Sequence, residues 1–208
     1  MPRVRVHQHV NPLAPFYRFM PKPLQIEKVF ADSDLPLHLD IGSARGRFLL
    51  KMATVEPNQN FLGVEIREPL VEEANRIKKE ENLTNLHYEF CNATYSLDKL
   101  LEPLPSGVLQ TVTIQFPDPW YKKKHAKRRM VKNNLVETVV GHLRIAGVVF
   151  IQTDINFLAE EMFELFRENA YLCEVEVAEN PFPVKTEREI AVEEKGLPIY
   201  RAMFEKTK

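Results

Sequence analysis

The sequence contains little cysteine, and neither its cysteines nor its histidines follow a metal-binding pattern. Cys91 and Cys173 are far apart and form no C-x-x-C pair, so we expect reduced thiols in or near the core of a cytosolic protein. The six histidines show no zinc-type spacing, and His7 and His9, in a terminal segment, make a poor metal site. We therefore expect neither a disulfide scaffold nor a bound metal.

Long apolar runs are also missing. No stretch approaches the ~20 apolar residues of a membrane-spanning helix, and the opening "MPRVRVHQHVNPLAP" has no continuous apolar segment of the secretory-signal type. We therefore expect a cytoplasmic protein without membrane contact. The 208 residues suit one domain, which we assign to residues 31–208. Residues 1–30 contain five prolines and alternating basic residues, which predict a loosely ordered N-terminal arm.

Positive charge is concentrated in one short run. Residues 122–132 hold seven Lys or Arg and no acid. Because the whole chain has a net charge of −1, the remainder is acidic, at −8. A mildly acidic body with one concentrated basic run can bind a phosphate backbone locally.

The chain alternates between strand-like and helix-like segments. Apolar or alternating runs predict strands at residues 35–42, 60–66, 85–90, 109–116, 147–153 and 196–206. Helical composition or spacing predicts helices at residues 47–53, 68–80 and 155–168. Such alternation is typical of a parallel sheet with helices on both faces, whose ligands bind beyond the carboxyl ends of the strands.

A glycine turn and two acids follow the first two strands. "LDIGSARGRF" places Asp40 at a strand end before Gly42 and Gly46, and Glu65 ends the second strand. The turn allows close approach of a ligand, and the second acid can accept hydrogen bonds from ribose hydroxyls. Both features suit an adenosine-containing cofactor. Asp40 repels a pyrophosphate and suits a cation, such as the amino group and sulfonium of S-adenosylmethionine. The alternative is a structural tight turn with two surface acids.

Two further strand ends carry candidate residues. Asn92 and Ala93 follow the third strand, where a short amide could touch the adenine edge, although such an asparagine is more often a turn residue or helix cap. Asp118 follows the fourth strand between two prolines, which stiffen the loop and can hold a carboxylate in place. Alternatively, Asp118 caps the next helix. The adjacent Trp120 is equally compatible with core packing and with stacking.

The basic run begins directly after this loop. Clustered charge is usually a solvated helical face, but this cluster is large and adjoins the predicted cofactor edge. We therefore favour contact with a nucleic-acid backbone. The candidates are Lys123, Lys124, Lys127, Arg128 and Arg129, with Arg3 and Arg5 as weaker ones.

The segment "FPDPWYKKKHAKRRM" resembles the signature of the tRNA (guanine-N7)-methyltransferase family. Its setting is similar too, with "DIGSARGRF" before it, "QTDINFLAEEMFELF" after it and "KTERE" and "GLPIYRAMFEK" near the end. The resemblance covers residues 35 to 208. It implies a Rossmann-like class I methyltransferase with a seven-stranded, mostly parallel sheet and one antiparallel strand. It also implies S-adenosylmethionine as methyl donor and a guanine of the tRNA variable loop, at nucleotide position 46, as acceptor.

The resemblance also implies roles for individual residues. Cofactor contacts fall on Asp40, Glu65, Asn92 and Asp118. Because guanine N7 can attack without loss of a proton, we further expect Asp118 to be the catalytic residue, through positioning and electrostatics. Substrate contacts fall on Lys122, Asp154, Thr186, Glu187, Arg188 and Glu189. Asp154 could equally cap the helix that follows it. Three positions depart from the family pattern: Ala44 replaces a glycine, Asn92 an acid, and Arg188 an aromatic or apolar residue.

Three other functions compete with this one. A methyltransferase of another substrate leaves the basic run unexplained, and a nicotinamide-dependent oxidoreductase needs a pyrophosphate loop that Gly42 and Gly46 supply poorly. A non-catalytic RNA-binding module leaves the acids at successive strand ends unexplained. As partners we expect tRNA and no membrane, with the chain acting as a monomer or homodimer and no obligate second subunit evident.

Overall fold

The computed structural model describes residues 10–208. Seven strands form one sheet in the order β3-β2-β1-β4-β5-β7-β6, in which β7 is antiparallel to both of its neighbours. The strands are β1 (Leu37–Ile41), β2 (Asn60–Glu65), β3 (Leu86–Phe90), β4 (Leu109–Gln115), β5 (Val148–Thr153), β6 (Leu172–Val175) and β7 (Tyr200–Lys206). The expected seven-stranded, mostly parallel sheet with one antiparallel strand is therefore confirmed.

Seven α-helices and two 3₁₀ turns are found within the described residues. The helices are α1 (Ile26–Val29), α2 (Arg47–Val55), α3 (Glu68–Glu80), α4 (Ala93–Leu101), α5 (Asn133–His142), α6 (Asn156–Arg167) and α7 (Glu187–Glu193). The 3₁₀ turns are Pro15–Tyr17 and Lys123–Arg128. The three predicted helices correspond to α2, α3 and α6.

The two faces of the sheet bury separate apolar clusters, because successive side chains of a strand point to opposite faces. Leu37, Leu39 and Ile41 of β1 join the larger cluster, which packs against α4, α5 and α6. The smaller cluster contains Phe61 and Tyr88 from the sheet and packs against α2 and α3. Both faces are covered by helices, as expected.

The N-terminal segment from residue 10 onward packs on the domain. Leu24, Ile26 and Phe30 are buried in the larger cluster, and the Leu24 amide donates to the Leu100 carbonyl oxygen at 2.9 Å. The division between arm and domain at residue 30 stays a prediction. Residues 1–9, including the predictions made for Arg3, Arg5, His7 and His9, lie outside the described residues.

The two cysteines differ in their surroundings. Cys91 is buried, as expected, and burial raises the pKa of its thiol to about 12. Cys173 on β6 is exposed, so its predicted place in or near the core is wrong. Its strand lies at the border of the sheet, where Cys173 and the next residue, Glu174, are both exposed.

No helix within residues 10–208 has the length and apolar character needed to cross a membrane.

Candidate active site

The four neighbouring strands β3, β2, β1 and β4 end at one edge of the sheet. Their ends carry Asn92, Glu65, Asp40 and Asp118 in that spatial order. The first three are buried, at 3%, 4% and 5% exposure, whereas Asp118 is exposed. The residues that the sequence marked at successive strand ends therefore lie along one edge.

The loop after β1 adopts left-handed backbone conformations at three positions. Gly42, Ala44 and Gly46 have φ values of 87°, 50° and 71°. A Cβ atom at Gly46 would lie 2.5 Å from the Tyr88 ring, so only glycine fits there. The alanine at position 44 accepts a conformation that costs a non-glycine residue roughly 1–2 kcal/mol.

Asp40 is a buried carboxylate held by hydrogen bonds from the neighbouring strand. Thr113 Oγ1 donates to Asp40 Oδ1 at 2.6 Å, and Gln115 Nε2 lies at 3.5 Å from the same oxygen. Burial raises the pKa of Asp40 to about 6, although these two hydrogen bonds lower it, and the charge of Glu65 raises it further. No Lys or Arg of residues 10–208 pairs with Asp40. At neutral pH the carboxyl group is therefore mainly ionised, and residues 10–208 provide no ion pair for it.

Glu65 is held by the loop residues around it. The Ala44 amide donates to Oε2 at 2.9 Å, and Arg67 forms a two-pronged pair, with Nε at 2.9 Å from Oε1 and Nη2 at 3.0 Å from Oε2. The charge of Asp118 also acts on the Arg67 guanidinium. Arg67 therefore pairs with Glu65 and also interacts with the charge of Asp118, which nothing in the sequence indicated.

Asn92 holds the N-terminal segment. Its Nδ2 donates to the carbonyl oxygens of Pro12 at 2.9 Å and Tyr17 at 3.0 Å. Asn92 occupies the N-cap position of α4, followed by Ala93, but its side chain caps no amide there. Phe19 stacks on Phe90 at 4.4 Å between ring centroids. The end of β3 is thus covered by residues 12–19.

The loop that carries Asp118 is restrained at both ends. Phe116 and Trp120 have φ values of 49° and 43°, which are strained for aromatic residues. Arg129 Nε donates to the Pro119 carbonyl oxygen at 3.1 Å, and its guanidinium pairs with Glu161. The predicted stiffness thus has a second source besides the prolines. Asp118 begins no helix, so the capping alternative is wrong.

Trp120 makes contacts with the basic run itself. The Arg128 guanidinium lies 4.9 Å from the centre of the indole ring, and His125 meets that ring edge-on at 5.7 Å. The ring is half-buried. Trp120 therefore contributes packing within its own loop.

The basic run divides into exposed and internally engaged residues. Lys122, Lys123, Lys124 and Lys127 are exposed on the 3₁₀ turn Lys123–Arg128 and its start, whereas Arg128 and Arg129 are half-buried. Arg129 pairs with Glu161 and lies 4.9 Å over the Phe157 ring, so the run is not free of acidic partners as the sequence suggested. The lysines form the accessible part of the cluster.

Five of the six predicted substrate residues, all except Lys122, come together. Arg188 pairs with Asp154 across the gap between α7 and the end of β5, and Glu187 pairs with Arg47 at the start of α2. The helix-capping alternative for Asp154 is wrong, because the N-cap of α6 is Ile155. The stretch after Thr186 thus lies beside the loop that follows β1.

Glu189 is the buried member of this stretch. It forms a capping box with Thr186, whose Oγ1 accepts the Glu189 amide at 3.1 Å. Its carboxylate accepts Asn180 Nδ2 at 2.7 Å, Gln152 Nε2 at 3.0 Å and Arg201 Nη2 at 3.0 Å. The side chain is 0% exposed. Its place indicates that Glu189 shapes the turn, and its predicted contact with substrate stays a prediction.

Sequence reasoning missed several residues of this edge. Thr113, Gln115, Gln152 and Arg201 all lie inside predicted strands, where single polar side chains gave no distinct signal. The capping box could have been found, because "TERE" has the S/T-x-x-E spacing that begins helices.

The fold and the edge of acids together define a class I methyltransferase. A family model described as "Putative methyltransferase" matches residues 34–202. A Trichormus variabilis protein named tRNA (guanine-N(7)-)-methyltransferase is 54% identical over 210 residues, 99% of this chain and 98% of that protein. One of the same name from Synechococcus elongatus is 53% identical over 207 residues, 98% of this chain and 97% of that protein.

The chain belongs to the tRNA (guanine-N(7)-)-methyltransferase family. Among solved structures, a Streptococcus mutans protein in complex with SAH has the same fold, with a TM-score of 0.53 at 9% identity. The match covers 87% of this chain and 93% of that one.

Proposed function

We propose that this protein transfers a methyl group from S-adenosylmethionine to N7 of a guanine in tRNA. Membership of the family supports the reaction, and the names of the relatives support the substrate. The observation that carries the proposal is the position of Asp118, which lies at the same edge as Asp40 and Glu65 and directly before an exposed lysine cluster. Cofactor, base and phosphates can therefore meet at one place. We further propose that the guanine is in the variable loop, at nucleotide position 46.

The residues at the strand ends fit this cofactor. Asp40 carries a negative charge without a basic partner among residues 10–208, which suits the amino group and sulfonium of S-adenosylmethionine. Gly42, Glu65, Asn92, Ala93 and Asp118 would complete the site. When bound, the cofactor supplies an electrophilic methyl group. The nicotinamide alternative is disfavoured because a buried acid beside the glycine loop repels a pyrophosphate.

Asp118 has a positioning and electrostatic role in this proposal. Guanine N7 has an in-plane lone pair and no proton, so no base is required before attack. Asp118 can accept hydrogen bonds from the N1–H and the exocyclic amine of guanine. Its negative charge can also offset the positive charge that the ring gains. Turnover is therefore expected to vary little with pH across the neutral range.

The exposed lysines suit the phosphates around the guanine. Lys122 lies nearest to Asp118 in sequence, followed by Lys123, Lys124 and Lys127. Asp154, Thr186, Glu187 and Arg188 would contact the nucleotide on the other side of Asp118. A guanine in folded tRNA has to be presented to such a site, and unstacking of the base is one way to do so. We expect the protein to act in the cytoplasm as a monomer or homodimer.

The test is methyl transfer to unmodified tRNA with chemical mapping of the modified base. We expect 7-methylguanine in the variable loop. Methylation at another tRNA position would correct the site, and failure on all tRNAs would remove the substrate. A thermal-shift comparison separates the rivals, because S-adenosylhomocysteine should raise Tm and NAD should not.

A further inference from the structure

A row of polar side chains crosses the sheet just inside its ligand edge. Strand register places Gln115 opposite Gln152, and Gln152 opposite Arg201. Gln152 Nε2 donates to Gln115 Oε1 at 2.8 Å, and Gln115 Nε2 faces Asp40 Oδ1 at 3.5 Å. The row thus runs from the cofactor edge to Glu189 under the Thr186 turn, and Gln152 at its centre is fully buried.

The orientation of the Gln152 amide is fixed by its partners. Its Nε2 also donates to Glu189 Oε2 at 3.0 Å, so both amide hydrogens are used. Its Oε1 accepts Arg201 Nε at 3.2 Å. A flipped amide would place its oxygen against the Glu189 carboxylate and its NH₂ group against the Arg201 donor.

The orientation of Gln115 follows from that of Gln152. Because Gln152 donates to Gln115 Oε1, the Gln115 oxygen is turned away from Asp40 and its NH₂ group towards it. The opposite orientation would place two acceptors together at the Asp40 carboxylate.

We propose that Gln152 is a positioning residue for the methyl-transfer reaction. Gln152 orients Gln115 so that an N–H rather than a carbonyl oxygen faces Asp40. This inference rests on the proposed role of Asp40 at the cofactor. The Glu189–Arg201 pair beneath the Thr186 turn sets the orientation of the Gln152 amide. Through Gln115, that orientation determines which atom faces the Asp40 carboxylate at the proposed cofactor site.

The proposal predicts a change in the pH dependence of cofactor binding. Asp40 is faced by Glu65 of β2, with Arg67 bound to that carboxylate, by Tyr88 of β3, and by Thr113 and Gln115 of β4. A carbonyl oxygen in place of the Gln115 N–H would favour the protonated acid. The pH midpoint below which a cationic ligand loses its partner would then rise.

The experiment measures the affinity of the full chain for S-adenosylhomocysteine by calorimetry as a function of pH. Gln152→Glu removes the donor to Gln115, whose NH₂ group then turns to the new carboxylate. We expect the midpoint to rise by about one unit, which is a ~10-fold loss of affinity at a pH below both midpoints, relative to wild type. Gln115→Met, which lacks the donor, should shift it in the same direction. Unchanged midpoints in both folded variants would overturn the proposal.

A matched control separates this effect from general loss of stability. Asn85 is an amide hub at the start of β3, with its Nδ2 bonded to the carbonyl oxygens of Ala53 and Gln59 at 3.1 and 3.0 Å. Asn85→Ser should lower Tm and leave the pH midpoint unchanged. A midpoint shift of equal size in this control would overturn the positioning role.

A second readout does not depend on the cofactor. In the wild type, the NMR chemical shift of the Gln115 side-chain amide nitrogen should change with pH at the midpoint of Asp40. In Gln152→Met, the Gln115 side-chain amide should lose its protection from hydrogen exchange. If the wild type does not bind S-adenosylhomocysteine, only the proposed cofactor site is refuted. An unprotected Gln115 side-chain amide in the wild type would refute the proposed positioning of Gln115 by Gln152.

Discussion

Asp40 and Asp118 lie at the same edge of the sheet, but their surroundings suit different tasks. Asp40 is buried, and its pKa is raised to about 6 by that burial. A cationic ligand binds best to the ionised form, so cofactor affinity should be constant above this pH and fall as the pH drops through it. Asp118 is exposed to solvent. In the proposed function the buried acid therefore serves the cofactor alone, and the exposed acid can also reach the guanine.

Asp118→Asn tests the role of the exposed acid. The amide keeps the size of the side chain but removes its negative charge. We expect kcat to fall by about 100-fold or more, as when an electrostatic catalytic group is lost, with the Kd for S-adenosylhomocysteine little changed. Steady-state kinetics with tRNA and calorimetry measure the two quantities, and an unchanged kcat would refute the assignment.

Ala44→Gly tests the strain in the loop after β1. Ala44 has a φ of 50°, and a glycine adopts this conformation freely. The substitution should be neutral or raise the free energy of unfolding by up to about 1 kcal/mol, because relief of strain opposes the greater entropy of the unfolded chain. Denaturant unfolding measures it. A clear loss of stability would show that the alanine methyl group contributes packing there.

At the level of elements, apolar periodicity was sufficient for the central strands and the amphipathic helices. β4 alternates Val112 and Ile114 with polar residues, which made it recognisable. The short border strand β6 and the helix α5, rich in valine and containing a glycine, gave no comparable pattern. The contacts of Arg129 could not be predicted, because Glu161 lies 32 residues away on another helix.

Arg129→Ala tests whether this contact positions the Asp118 loop. Loss of the guanidinium frees the Pro119 carbonyl oxygen and Glu161. We expect a decrease in kcat of about 10- to 100-fold, because small displacements of a catalytic group are costly. Arg167 is the control: it also pairs with an acid, Glu174, and lies 5.9 Å over an aromatic ring, but at the other end of α6. Arg167→Ala should leave kcat unchanged, and equal losses in both variants would exclude a local effect.

For the whole molecule, the separation of charge determines how a polyanion can approach. The seven basic residues of the run lie on an otherwise acidic chain, and the four exposed lysines follow Asp118 directly. A tRNA attracted to these lysines would be held with its backbone beside the exposed acid. Net charge alone would have concealed this surface, whereas the sequence pattern revealed it.

Replacement of Lys123, Lys124 and Lys127 by alanine tests this surface. Each lost phosphate contact removes ~0.7–0.9 from the slope of log K against log salt concentration, so the slope for tRNA should decrease by about two to three. Filter binding at several salt concentrations measures it. Alanines at the exposed Lys51, Lys79 and Lys195 serve as the control and should not alter the slope. An unchanged slope in the first variant would place the RNA surface elsewhere.

The position of β7 in the sheet has a consequence for the order of folding. This strand follows every other strand in sequence, yet it lies between β5 and β6. During synthesis, β6 has to wait as an unpaired segment until residues 200–206 have emerged. A nascent chain can therefore pair β1 to β5 early, whereas the guanidinium that Arg201 provides for the buried Glu189 arrives only with the last strand.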